Sequence, residues 1–152
     1  MRRNATMSAL AFVVALGGAA RADVRLTQLF DHGEPTTWTL RYGVAFDGAE
    51  GDETALFLSD QPIACGTDSA DIHGVFIAVG ADRSATAGRT QPGDDPAKIP
   101  PDKVKLSRKV TADRVRGTLA FDHVDQRFRN KDRQPHFRAS GAFDVKRCKR
   151  PR

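Results

Sequence analysis

The chain has 152 residues, 28% of them charged and 39% apolar, with a formal charge of +5. With residues 1–22 set apart, and Arg2, Arg3 and Arg21 gone with them, 130 residues and a charge of +2 remain, which suits one domain with one core rather than two. No later segment approaches the roughly 20 apolar residues that a membrane helix needs, so residues 23–152 are expected to have no membrane span.

The N-terminal pattern predicts export. Met1-Arg2-Arg3 is a positive start, Met7 to Leu16 is an apolar run interrupted by Ser8, and Ala20-Arg21-Ala22 is a small-x-small exit. The apolar run is too short to anchor the chain in a bilayer. Residues 1–22 therefore read as a signal peptide, and residues 23–152 as an exported domain, periplasmic or secreted.

From Asp23 onward the hydropathy repeats every second residue, the mark of strands with one face buried. Val24 to Phe30 places Val24, Leu26 and Phe30 on one side. Asp31 to Pro35 is a turn. Next come Trp38, Leu40, Tyr42, Val44 and Phe46, expected on a single core-facing side, and then an acidic loop from Asp47 to Glu53. Thr54 to Asp60 and Asp71 to Val79 hold short apolar runs suited to strands covered on both faces. The stretch 81–101, rich in proline and glycine, reads as one long irregular loop. Lys103 to Val110, Val115 to Phe121 and Phe137 to Val145 alternate again. Seven short strands with turns between them predict an all-β domain: an antiparallel β-sandwich, with a small barrel as second choice.

Only two cysteines occur, Cys65 and Cys148. In an oxidising compartment two such residues pair, and the alternatives, a nucleophilic thiol or a metal site, lack the environment or the close spacing those need.

Charge is divided along the sequence. Residues 23–97 carry 13 acidic and 4 basic side chains, whereas 98–152 carry 6 acidic and 17 basic. Either the two halves interleave and neutralise each other across strand pairs, or the cations collect on one surface for an anionic partner, such as a polymer or an envelope component. Arg127, Arg129, Lys131, Arg133 and Arg138 are the candidate anion-binding residues, because guanidinium groups grip phosphate or carboxylate with paired hydrogen bonds. The tail from Lys146 to Arg152 is a second basic cluster.

Catalytic patterns are absent from the sequence. It contains no His-Glu-x-x-His, no Gly-x-Ser-x-Gly and no phosphate-cradling glycine loop, and no cofactor is expected. A site of His32 or His123 with Asp31 or Asp122, and calcium held by Asp47 to Glu53, are the remaining chemical possibilities. The reading is thus a non-catalytic exported binding or structural module; a small secreted hydrolase and a metal-binding β-domain are the alternatives.

Overall fold

A computed structural model describes residues 21–29, 34–47, 54–67, 71–90, 96–125 and 136–149. It is all-β. The strands are β1 (Arg21–Leu29), β2 (Thr36–Leu40), β3 (Tyr42–Asp47), β4 (Thr54–Ser59) and β5 (Val75–Val79). They continue with β6 (Ala85–Arg89), β7 (Ala97–Ile99), β8 (Lys105–Val110), β9 (Arg114–Val124) and β10 (His136–Cys148). A 3-10 turn, Pro101–Lys103, leads into β8.

The sheet branches at β10. On one edge β10 pairs with β9 from His136↔Val124 to Lys146↔Arg114. On its other edge it pairs with β1 from His136↔Leu29 to Asp144↔Arg21. Past the Arg21↔Asp144 pair β3 takes up that edge in parallel, from Lys146↔Val44 to Cys148↔Phe46. Two arms result, β2-β1-β10-β9-β8 and β3-β4-β5-β6-β7, and the whole sheet curls like half a barrel.

The curl brings the apolar faces together. Val24, Leu26, Leu40, Leu119, Phe137, Phe143 and Val145 of one arm share a core with Leu56, Leu58, Ile77, Val79 and Ile99 of the other. Polar ties close the gaps between arms, where unpaired backbone groups are costly. The Lys98 N–H donates to Asp125 Oδ2 at 3.1 Å, and Arg108 donates to the Thr54 carbonyl at 2.6 Å. The Arg89 guanidinium lies 4.9 Å from the centre of the Trp38 ring.

Several expectations need correction. Stretch 81–101 is not one irregular loop, since it contains β6 and β7. Their inward residues are mainly alanines, Ala85, Ala87 and Ala97, with Ile99, all buried. Small side chains carry little strand signal on their own, yet they fit a curled sheet that closes tightly. The run from Trp38 to Phe46 does not keep one face. It breaks at Arg41, where Arg41 and Tyr42 are both exposed, and the inward row resumes at Gly43 and Ala45. A slip of one residue flips every later side chain, so Tyr42 (37% exposed) and Phe46 (39%) point outward. Finally, β1 begins at Arg21, two residues before the expected start of the exported domain. Ala22 is buried opposite Phe143, and its N–H donates to the Arg41 carbonyl at 2.9 Å. Residues 1–20 lie outside the described residues.

Cys65 and Cys148 are joined in a disulfide. Such a bridge fits an oxidising, exported environment, and no helix among the described residues is long and apolar enough to cross a membrane. The bridge also fixes the path of the β4–β5 connection. Ser59 ends β4 beside Tyr42, while Cys148 lies beside Phe46 at the other end of β3. The bridge thus brings Cys65, in that connection, back to the Phe46 end of β3, whose outer face carries Tyr42, Val44 and Phe46. Val44, between Tyr42 and Phe46 on that face, is only 4% exposed.

Candidate functional site

The strands that carry the basic half of the sequence, β8, β9 and β10, lie side by side. Alternation then sorts their side chains. Val115, Leu119 and Phe121 face the core, so Arg114, Arg116, Thr118, Ala120 and Asp122 face outward from β9. By the same parity β10 presents Arg138, Ser140, Ala142, Asp144 and Lys146, and β8 presents Lys105, Ser107 and Lys109. Arg21, Asp23, Arg25 and Thr27 of β1 extend this face, with Thr37, Thr39 and Arg41 beyond them.

Register arranges these residues in rows. One row runs Thr39, Arg25, Ser140, Ala120, Lys105, with cations toward both ends and small side chains between. The next holds Asp23, Ala142, Thr118 and Ser107, and the one after it Arg21, Asp144, Arg116 and Lys109. Nine cationic side chains, including Arg41 at the bend, stand against three carboxylates, Asp23, Asp122 and Asp144. A shallow depression of about 790 Å³ lies against β8, β9 and β10, lined by small residues such as Ala120, Ser140 and Ala142, by Leu106 and Leu119, and by Arg83 of the β5–β6 turn. A second one, of about 730 Å³, is lined by Arg21, Asp23, Arg25 and Arg41.

Two carboxylates on the face already have partners. Asp144 accepts a hydrogen bond from Arg114 Nε at 2.7 Å, and this contact raises the guanidinium pKa above its ordinary value. Asp122 pairs with His136 Nε2 at 2.7 Å and with Arg138 Nε at 3.0 Å. The hydrogen bond with His136 is the main cause holding the Asp122 carboxyl below its usual range; desolvation opposes it and Arg138 reinforces it. A carboxyl depressed in the folded state stabilises the fold above its unfolded pKa, about 3.9, and that stabilisation is lost as pH falls through the folded value. With the Asp122 side chain 50% exposed, solvent screening limits the effect to roughly a few tenths of a kcal/mol. D122N should accordingly lose stability less steeply than the parent between about pH 5 and pH 2 in acid titrations followed by circular dichroism. Identical slopes would contradict this.

The residues predicted from sequence fare unevenly. Arg138 stands on this face, but its guanidinium is engaged by Asp122. Arg127, Arg129, Lys131 and Arg133 belong to the β9–β10 connection and lie outside the described residues, as do His32, Asp31 and residues 48–53 of the proposed calcium loop. Asp47, at the start of that loop, is bound to Arg147 at 2.5 Å. Arg147 also donates to the Thr111 carbonyl, so within the basic tail it serves as a structural clamp. The aspartate beside His123 in sequence pairs with His136 instead. Among the described residues no serine hydroxyl joins that pair, and no three metal-ligating side chains cluster.

Sequence reasoning missed Arg25, Arg41, Lys105, Lys109 and Arg116. The signal was present in the alternation that identified the strands: outward positions of a basic strand are themselves a surface. No family model, curated protein or solved structure matches the chain.

Proposed function

We propose that this chain is an exported, non-catalytic binding module of the periplasm or the extracellular space, a β-sandwich in the broad sense, which holds an anionic partner on the outer face of β2-β1-β10-β9-β8. The export pattern of residues 1–22 and the Cys65–Cys148 bridge support the compartment. One observation carries the binding reading. Arg25, Lys105, Lys109 and Arg116 share one face and have no ion pair among the described residues. Like charges held together without counter-ions repel, and an anionic ligand relieves that repulsion. Arg127, Arg129, Lys131 and Arg133, in the connection that continues from β9 and β10, add to the same attraction.

Salt-gradient elution from immobilised dextran sulfate tests this. K105S/R116S should elute at clearly lower salt than the parent, and R127S/R129S/K131S/R133S should do so as well. K98S/K149S removes equal charge elsewhere and should shift elution much less. If K105S/R116S and K98S/K149S elute together, net charge alone explains retention and the face has no special role.

A further inference from the structure

We propose that the anionic partner is an acidic polysaccharide, lying in the trough over β9 and β10 with its charged groups between the cations of β1 and those of β8. This inference rests on the binding reading above and narrows its ligand class. The trough has walls and a floor of different chemistry. Arg25 stands on β1 and Lys105 on β8, three strand spacings apart, or roughly 14 Å. The outward positions between them are Ser140, Ala142, Ala120 and Thr118, with the Ser107 hydroxyl at one margin, Asp23 at the other and Arg83 of the β5–β6 turn also lining the depression. A polymer running parallel to the strands meets cations on both flanks.

The floor selects for hydroxyl-bearing ligands. Ser107 Oγ and Thr118 Oγ1 are 2.8 Å apart and share one hydrogen bond. A hydroxyl has one donor and two acceptor sites, and Ser107 Oγ also accepts from the Thr118 N–H at 3.2 Å, so the pair keeps one proton and two lone pairs for a ligand. Thr27 and Thr37, 2.9 Å apart, repeat the arrangement at the border of the face. Sugar hydroxyls both donate and accept, and they match such groups in number and kind.

The outward rows also disfavour other polyanions. No Phe, Tyr or Trp stands on the outward rows of β1, β8, β9 or β10. Single-stranded nucleic acid is held by successive aromatic rings beside a basic groove, and over β9 and β10 there is none; one ring, Tyr42, lines the neighbouring depression with Arg21, Arg25 and Arg41. Peripheral membrane binding uses apolar side chains inserted at the headgroup boundary, and this trough has none to insert.

The test measures binding of the processed protein at fixed salt to alginate, which carries carboxylates and hydroxyls, and to inorganic polyphosphate, which carries charge alone. A thymidine oligonucleotide and phosphatidylglycerol vesicles complete the set. Alginate should bind about tenfold tighter than polyphosphate. S107A/T118A/S140A should weaken alginate binding roughly fivefold and leave polyphosphate unchanged, with a melting temperature near the parent's. K105S/R116S should weaken both. Equal affinity for alginate and polyphosphate, or a neutral S107A/T118A/S140A, overturns the polysaccharide assignment and leaves the anion-binding reading standing. Tighter binding to the oligonucleotide or the vesicles does the same. Absence of binding to every polyanion overturns both.

Discussion

C65S/C148S is expected to lose roughly 4–5 kcal/mol of stability, from the chain entropy released when a loop of 83 residues is no longer closed in the unfolded state. For a domain of this size the melting temperature should fall by roughly 10–20 °C. Chain entropy is only part of the loss. The bridge ties the β4–β5 connection to the end of β10. Released, the connection loses that anchor, and Ile72, which lies in it and is buried in the native fold, packs less firmly. The double variant should therefore fall slightly below the reduced parent, in which thiols still pack where serine hydroxyls demand hydrogen bonds. Urea denaturation of the parent, the reduced parent and the variant measures both steps. A midpoint change corresponding to under about 1 kcal/mol would mean the bridge constrains nothing that folding needs.

How much of this could be seen in advance depended on the kind of interaction. Strands β1, β8, β9 and β10 were legible because each keeps strict alternation beside a buried neighbour: Val24 and Leu26, Val115 and Leu119, Phe137 and Ala139. The disulfide was legible because two cysteines allow one pairing. Strands β6 and β7 were not, because their buried residues are alanines whose role is set by the strands they meet, Ile77 opposite Ala87 and Val79 opposite Ala85. The slip at Arg41 was hidden for a similar reason. It follows from Gly43 fitting where a larger side chain would strike Leu58 and Val145, and those partners are distant in sequence.

The basic face illustrates the same boundary. The sequence splits its charge between two halves, but whether they interleave depends on pairings that no local pattern encodes. In the fold, β8, β9 and β10 stay adjacent, so the cations of the second half gather, with Arg114 and Arg138 paired to Asp144 and Asp122 across β9 and β10. Strands β3 to β7 of the opposite arm carry a single carboxylate, Asp47, and the other acidic residues of that half, Asp23 aside, fall between strands in sequence. Only Asp23, on β1, enters the cationic rows from the acidic half. A cationic surface thus emerges from chain order and strand pairing together.

Gly141 decides whether that surface exists. It sits in the middle of β10 with φ at +153°, a backbone conformation that side chains with a Cβ rarely adopt, and it lies between Val24 of β1 and Leu119 of β9. A Cβ there would come within 2.6 Å of Val24 Cα and closer still to the Asp23 carbonyl oxygen. Both are backbone atoms, so no rotamer change relieves the contact. G141A should cost roughly 3–5 kcal/mol, combining backbone strain with forced separation of β1 from β10. Because β1 carries Arg25 and β10 carries Ser140, G141A should also abolish polyanion retention in any fraction that stays folded. G66A is the matched control: nothing lies within 4 Å of its new Cβ, and stability should change by less than about 0.5 kcal/mol. Equal unfolding midpoints for G141A and G66A would show that β1 does not dock against β10 as closely as this geometry requires.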